Sequence, residues 1–308
     1  MEPAISPVSD SQRALGAPET PWRRFYRAFT GSKLAVAGLV LFVAIALIAV
    51  FAPLLAAQNP YDLAQLDVLD GRMKPLTKAS SGALTYWLGT DDQGRDILSG
   101  IFYGLRISLS VGLVSAFIGA LIGSSLGLTA AYFGRRVDSV IMRLVDLQLS
   151  FPTILIALMI LAFLGKGVVN VVIALVIAEW AAYARTARGA ALVERHKEYV
   201  EAAEALAIPS AKIIFRHLLP NCLPPLIVIA TVQVARAIAL EATLSFLGVG
   251  VPVTEPSLGL LIANGYQYML SGEYWISFFP GIALLLVIVS INLIGDQLRD
   301  VLNPRGQE

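Results

Sequence analysis

Residues 34–57 read LAVAGLVLFVAIALIAVFAPLLAA, a run of 24 residues without a charged side chain. A membrane-spanning helix needs about 20 mostly apolar residues, and a soluble protein has no reason to keep such a run. The whole chain shares this character, because 56% of its 308 residues are hydrophobic and only 15% are charged. Soluble domains have about 25% charged residues. The sequence therefore predicts an integral membrane protein.

The segment before this run, residues 1–33, is mostly polar. A cleavable signal peptide would have a shorter positive region and an apolar core of about 7–15 residues. We therefore expect 34–57 to be an uncleaved first span that follows a cytoplasmic segment. Within that segment, residues 22–29 mix arginines with aromatic rings. This mixture is typical of a helix lying in the membrane interface, and a disordered basic tail is the alternative.

The predicted fold is all-α, with six transmembrane helices at about 34–57, 107–131, 147–164, 168–184, 222–248 and 276–296. Residues 58–106 then form an external segment, and 107–308 form a core with five helices and a cytoplasmic loop at about 185–221. With a cytoplasmic N-terminus, 16 of the 23 Lys and Arg residues lie in inside segments and six in outside segments. The positive-inside rule therefore predicts that both termini are cytoplasmic.

Small residues mark a packing surface on the second span. Gly112, Gly119, Gly123 and Gly127 all lie in it, and the last three repeat every four residues. Residues at this spacing share one helical face, and glycines let another backbone approach closely. We expect a helix-packing face, either within this chain or against a partner.

The loop 185–221 is too basic and polar to lie in hydrocarbon. Residues 199–208 predict an amphipathic helix, with Tyr199, Ala203, Leu206 and Ala207 on its apolar side. Pro209 cannot continue the hydrogen-bond ladder and ends the helix, and Ser210 is expected to cap a second one. From these residues alone, the loop either binds a partner or merely covers the base of the helix bundle.

Several blocks of sequence, in order and at characteristic spacing, resemble permease subunits of the dipeptide, oligopeptide and nickel class of ABC importers. The resemblance covers nearly the whole chain from Trp22 onward. The blocks that carry it are Leu88-Gly89-Thr90-Asp91 with Gly94-Arg95-Asp96, Tyr132-Phe133-Gly134, Phe151-Pro152, Glu201-Ala202-Ala203, Leu219-Pro220-Asn221, Leu244-Ser245-Phe246-Leu247-Gly248 and Asn292-Leu293-Ile294-Gly295-Asp296.

The resemblance implies a type I ABC importer permease in the bacterial inner membrane. It also implies a second permease subunit, two ATP-binding subunits that hold ATP and magnesium, and an external substrate-binding protein. The implied ATPase-coupling residues are Glu201, Ala202, Ala203, Leu206, Ala207, Pro209, His217 and Pro220. The family usually has glycine where Ala207 stands, so we expect Pro209 to carry the turn after the helix.

Three ionisable residues lie within predicted spans. Glu179 is near the inner end of the fourth span and is expected to snorkel to the interface. Arg236 and Glu241 lie within the fifth span and either line the translocation path or pair with neighbouring helices. The identity of the transported solute also stays open, because di- and oligopeptides are the family's commonest substrates and relatives carry nickel chelates, glutathione or opines.

Other classes of protein fit the sequence less well. An ion-coupled secondary transporter would be expected to show internal repeats, and the chain has none that we can find. A membrane enzyme is disfavoured because the only histidines are His196 and His217, without metal-binding spacing or a nucleophile arrangement. No catalytic or metal site is predicted, and no G-x-x-x-x-G-K-[ST] loop is present for ATP. A net charge of +1 also argues against nucleic-acid binding.

Overall fold

The computed structural model describes residues 20–82 and 84–302, so residues 1–19 and 303–308 of the predicted cytoplasmic ends lie outside it. The regular secondary structure of the described part is helical apart from one antiparallel two-stranded hairpin. The elements are α1 Pro21–Thr30, α2 Lys33–Val50, α3 Ala52–Leu55, short 3₁₀ turns at Leu63–Gln65 and Val68–Asp70, β1 Thr77–Lys78, β2 Thr85–Tyr86, α4 Ile97–Phe133, α5 Arg135–Ser150, α6 Thr153–Leu164, α7 Val168–Glu194, α8 Glu198–Ala205, α9 Ser210–Lys212, a π-helical segment Ile213–Leu218, α10 Leu219–Phe246, α11 Leu258–Tyr266, a 3₁₀ turn Met269–Ser271 and α12 Trp275–Leu302.

Five helical stretches in the described residues are long and apolar enough to cross a membrane: 33–50, 97–133, 168–194, 210–246 and 275–302. A sixth crossing is obtained if the bent pair α5 and α6 counts as one span. The predicted all-α membrane fold is therefore confirmed. The side of the membrane on which each end lies remains a prediction.

The helix that contains the predicted second span starts ten residues before residue 107, because α4 begins at Ile97. Asp96 caps the helix: its Oδ2 accepts hydrogen bonds from the backbone N–H of Ser99 at 2.9 Å and from the Ser99 hydroxyl at 2.6 Å. A helix of 37 residues is about 55 Å long, whereas the hydrocarbon core is about 30 Å thick. The extra turns project out of the hydrocarbon, where polar residues do not interrupt a helix.

The predicted third span, 147–164, is not a single helix. α5 ends at Ser150, α6 starts at Thr153, and the two helices meet at 93°. Pro152 explains the break, since its ring disfavours a helical conformation at the preceding residue, and Phe151 is indeed extended at φ −101° and ψ 145°. α6 has only 12 residues, about 18 Å, which is too short to cross a bilayer alone.

The fourth and fifth predicted spans are also longer than expected. α7 continues ten residues beyond the predicted end at 184, to Glu194. On the other side of the loop, α9, the π-helical segment and α10 follow one another without a break from Ser210 to Phe246. Ser210 is the first helical residue and makes no capping hydrogen bond, so the predicted cap is wrong. Pro209 lies at the cap position instead, where its missing N–H is not needed.

The glycine face of α4 packs within this chain, against α7. A Cβ atom added at Gly123 would overlap the carbonyl oxygen of Trp180, and one added at Gly127 would overlap that of Ala184. Gly119 faces the ring of Tyr183 at an ordinary 3.5 Å, and Gly112 lies against the side chain of Ile238 on α10. Backbone-to-backbone contact at two successive turns therefore holds α4 and α7 together.

We expect Gly123→Ala to destabilise the protein by about 1–3 kcal/mol, because the new methyl group must push two backbones apart. The matched control is Gly189→Ala in α7, where an added Cβ meets nothing within 4 Å. There, alanine should stabilise the helix by about 0.5–1 kcal/mol. Apparent Tm values of the purified variants would show this difference, and equal Tm values would contradict the packing assignment.

Candidate functional site

α8 lies on the base of the helix bundle and is attached to it by one buried side. Val200 and Ala203 are 1% and 5% exposed and pack in one apolar cluster with α7, α10 and the π-helical segment. That cluster includes Ala187, Ala191, Ile213, Ile214, Leu218 and Cys222. The buried positions of α8 are three residues apart, as expected for one face of a helix.

The opposite side of α8 is exposed and carries most of the predicted coupling residues. Glu201, Ala202 and Glu204 are exposed, and Leu206 is 75% exposed. The predicted apolar side was therefore partly wrong, because Val200 occupies the inner position and Leu206 points away from the bundle. Leu206 therefore lies beside the exposed carboxylates of Glu201 and Glu204, on the side that faces away from the bundle.

α8 ends in a left-handed turn at Ala207, where φ is +52°. The N–H of Ala207 donates to the carbonyl of Glu204 at 2.9 Å, and the N–H of Ile208 donates to that of Ala203 at 3.1 Å. These two bonds define a Schellman motif, whose left-handed residue is usually glycine. The expectation that Pro209 would carry the turn was therefore wrong. Alanine adopts the glycine conformation here, at a penalty of about 1–2 kcal/mol.

A polar network joins α8 to the helices on both sides of it. The Tyr199 hydroxyl donates to Glu194 Oε2 at 2.9 Å, and Lys197 Nζ lies 2.6 Å from Glu194 Oε1. Asn221 Nδ2 donates to the Tyr199 hydroxyl at 3.3 Å and to the His217 carbonyl at 2.8 Å. Burial and the hydrogen bond to Glu194 raise the pKa of Tyr199 to about 12, so the hydroxyl remains a donor at neutral pH.

The remaining predicted coupling residues flank this network. His217 is half-buried in the π-helical segment, and Pro209 and Pro220 are exposed. π-helical turns occur often at functional sites, and Ile213–Leu218 connects α9 directly to α10. Sequence reasoning missed both Tyr199–Glu194–Asn221 and the π-helical turn. Neither has a recognisable spacing signal in the sequence. In the hydrogen-bond network, the three side chains come from α7, α8 and α10.

Ion pairs attach the end of α7 to α5. Arg188 binds Asp138 with two nitrogens, and one of these contacts, between Nη2 and Oδ2, is 2.6 Å long. Arg185 pairs with Asp146 at 2.6 Å, although both side chains are largely exposed. Buried and bidentate pairs position helices better than exposed ones do. The Arg188–Asp138 pair therefore gives the stronger link between α5 and the helix that precedes the loop.

Glu241 is fully buried and ties three helices together. Its carboxylate accepts hydrogen bonds from the hydroxyls of Ser108 on α4 and Ser245 on α10, both at 2.8 Å, and from Ser257. Ser257 also caps α11, since its Oγ accepts from the N–H of Leu260 at 3.2 Å. Of the two roles open from the sequence, this geometry favours structural pairing for Glu241.

Arg236 and Glu179 differ from Glu241 in their surroundings. Arg236 is exposed, although it lies in the middle of α10. Glu179 is only 4% exposed, and neither carboxylate oxygen has a hydrogen-bond partner in the described part of the chain. The prediction that Glu179 would snorkel to the interface is wrong, because α7 continues well beyond it and packs against α4 and α10.

An open cavity of about 530 Å³ lies between α7, α10 and α12, at the end of the bundle that carries α8. Its lining is mostly apolar with two opposite charges: Thr186, Pro224, Pro225, Val228, Ile229, Val232, Gly295, Asp296, Arg299 and Leu302. Volumes of about 300–1,000 Å³ are typical of sites for small molecules. The cavity can therefore admit a small solute.

Replacing Ala207 with glycine should stabilise the end of α8 by about 1 kcal/mol, because glycine adopts positive φ without strain. Hydrogen exchange at residues 204–208 should become slower. The control is Ala205→Gly, which lies in the helical part of α8 and should speed exchange instead. If both variants exchange faster than the parent, the left-handed assignment at 207 is wrong.

For Glu241, we expect Glu241→Leu to destabilise the protein by about 2–3 kcal/mol, since buried hydroxyls lose their acceptor. Glu241→Gln keeps one acceptor oxygen and should lose less. Thermal unfolding of both variants measures the difference. A Glu241→Leu protein as stable as the parent would exclude the structural role.

Comparison with known proteins gives two family matches. Residues 119–307 match the family described as "Binding-protein-dependent transport system inner membrane component". Residues 20–75 match "N-terminal TM domain of oligopeptide transport permease C". The two matches together cover most of the described helices.

Curated relatives are similar over nearly the full length. The dipeptide transport system permease protein DppC of Alkalihalophilus pseudofirmus is 38% identical, over 99% of this chain and 95% of that protein. DppC of Escherichia coli K12 is 39% identical over 94% of each chain. A putative peptide transport system permease protein of Brucella suis is 42% identical over 87% of this chain and 86% of that protein.

A solved structure shares the fold. It is an inward-facing conformation of the MetNI methionine ABC transporter, with a TM-score of 0.53 and 22% identity over 65% of this chain and 94% of that chain. This likeness concerns the fold alone, and it agrees with the helix arrangement described above. The family matches and the full-length relatives show that the chain is a multi-pass membrane protein that belongs to the permease family of binding-protein-dependent ABC importers.

Proposed function

We propose that this chain is one of two permease subunits of an ATP-driven importer in the bacterial inner membrane, and that it carries di- or oligopeptides. The observation that supports this most is α8, which presents Glu201, Ala202 and Leu206 outward while Val200 and Ala203 anchor it to the bundle. The side of the membrane follows from the positive-inside prediction, which puts α8 and both termini in the cytoplasm.

α8 is suited to receive an ATPase subunit. Leu206 provides an apolar contact, Glu201 and Glu204 provide charge, and the helix is held at both ends by the Tyr199 network and the Schellman turn. A helix attached in this way moves with α7 and α10 rather than independently of them. Movement of a bound ATPase is therefore transmitted to the spans.

The energy comes from partner subunits in this proposal. Two ATP-binding subunits hold ATP and magnesium, and ATP favours the conformation that it binds better. The two permeases then alternate between inward-open and outward-open states, and an external binding protein delivers the solute to the outward-open state. This chain supplies the coupling helix and half of the path.

The peptide assignment is supported by relatives that are 38–42% identical and named for dipeptide or peptide transport. Nickel chelates, glutathione and opines are the other cargoes considered for this class. Uptake assays with each of them, using the binding protein that belongs to this importer, distinguish these alternatives from peptides.

Reversing the charge on α8 tests the coupling role. In the proposed complex, Glu201→Lys should leave the permease in the membrane but reduce copurification of the ATPase subunits and ATP-driven uptake by about tenfold, since one charged contact turns repulsive. Glu255→Lys is the control, because this exposed residue lies in the loop between α10 and α11 at the opposite end of the bundle, and it should not change copurification.

Unchanged ATPase copurification and uptake in Glu201→Lys would reject α8 as the coupling helix. The importer class itself is tested separately, in proteoliposomes that contain the complete complex. Uptake that continues without ATP, or without the ATPase subunits, would reject an ATP-driven importer.

A further inference from the structure

Arg236 lies on α10, one helical turn beyond the residues that line the open cavity. Val228, Val232 and Arg236 are spaced four residues apart on α10 and therefore share one face of the helix. Val228 and Val232 line the cavity of about 530 Å³, and Arg236 is exposed one turn further on. Arg236 thus shares the helix face that forms the cavity wall, at the end away from α8.

The depth of Arg236 excludes a surface exposed to lipid. It is ten residues before the end of α10 at Phe246, or about 15 Å along the helix axis, which is about half the thickness of the hydrocarbon core. A charged side chain facing lipid at this depth is expensive, and such residues usually face a water-filled cavity. We therefore expect the exposed side of Arg236 to face the translocation path rather than lipid.

Glu179 is a buried carboxylate on α7, and α7 packs against α10. Neither of its carboxylate oxygens has a hydrogen-bond partner in the described part of the chain. A buried carboxylate without a partner is costly, so an opposite charge on a neighbouring helix is a natural counter-ion for it. Arg236 on α10 supplies such a charge.

A guanidinium group has five N–H donors in a planar fork, which fits a carboxylate with two parallel hydrogen bonds. One edge of Arg236 can turn toward Glu179 while another remains free in the path. The neighbouring cavity is lined mostly by apolar residues, and its polar lining residues are Thr186 on α7 and Asp296 and Arg299 on α12. These features together suit a small solute that combines a carboxylate with apolar side groups.

We propose that Arg236 binds the carboxylate group of the transported solute during its passage, and that Glu179 is a positioning residue for the guanidinium. This inference rests on the proposed function, and it names the chemical group that the path recognises. A peptide with a free C-terminus has such a group, whereas the same peptide with a C-terminal amide lacks it. The two cargoes therefore differ at the atom that Arg236 would bind.

The first experiment compares these cargoes in proteoliposomes with the complete importer and its binding protein. Uptake by each variant is divided by uptake by the wild type for the same cargo, so that the preference of the binding protein cancels. Arg236→Gln should reduce uptake of the free-acid dipeptide by about tenfold, the effect of one charge-assisted hydrogen bond, and that of the amide by less than about threefold. Glu179→Gln should also reduce uptake of the free acid more than uptake of the amide, but by a smaller factor. Arg236→Lys should keep part of the free-acid uptake.

Matched controls separate this role from general damage. Arg143→Gln removes an exposed arginine from α5 and should affect both cargoes equally little. Glu241→Gln disturbs the buried hydroxyl cluster and should affect both equally. Equal losses for both cargoes in Arg236→Gln would overturn the proposal. A wild-type complex that transports no peptide would instead reject the proposed function.

A second measurement does not depend on the amide cargo. Arg236→Cys is assembled into the complex and then treated with thiol reagents that attach a positive or a negative group. The positive group should restore uptake of the free-acid cargo, and the negative group should not. The parent protein receives the same reagents as a control, since its single Cys222 is buried. Equal effects of both reagents on Arg236→Cys would also overturn the proposal.

Discussion

The contact between the backbones of α4 and α7 is the constraint on which the rest of the structure depends. Gly123 and Gly127 remove the side chains that would separate these helices, so that Trp180 and Ala184 approach them through carbonyl oxygens. In a membrane no hydrophobic force drives helices together, and close packing of small residues replaces it. The position of α7 is therefore set by two glycines on another helix.

Both functional regions inherit their positions from this contact. At its end, α7 carries Ala187 and Ala191, which form the platform for α8, and Arg188, which binds α5. In its middle, α7 carries the buried Glu179, and this helix packs against both α4 and α10. The loop that carries α8 and Glu179 are thus about four turns apart on one continuous helix. In the proposed function, a displacement of that loop would reach the middle of the bundle through this helix.

Much of this fold could be predicted from local sequence, and the failures have physical causes. Apolar runs identified the spans, because burial in lipid demands them. The helices extend beyond these runs, to Ile97, Glu194 and Ser210, because a helix can continue where the chain is polar and hydropathy no longer reports it. The break at Phe151-Pro152 was visible as a proline, but the run around it looked like one span. Pairing of Glu241 with Ser108 and Ser257 could not be predicted, because these serines come from distant parts of the chain. Leu206 was predicted on the apolar side of the helix but is exposed, because α8 ends at Ala205 and Leu206 belongs to the turn that follows.

The left-handed alanine at position 207 has a consequence for the tightness of the loop. A difference of about 1 kcal/mol changes an opening equilibrium about fivefold. With alanine at position 207, the last turn of α8 therefore unravels about five times more often than it would with glycine. The outward contact surface of Glu201 and Leu206 is the same in both cases. One carbon atom thus sets how often the last turn of α8 opens, and it does so without altering the side chains that α8 exposes.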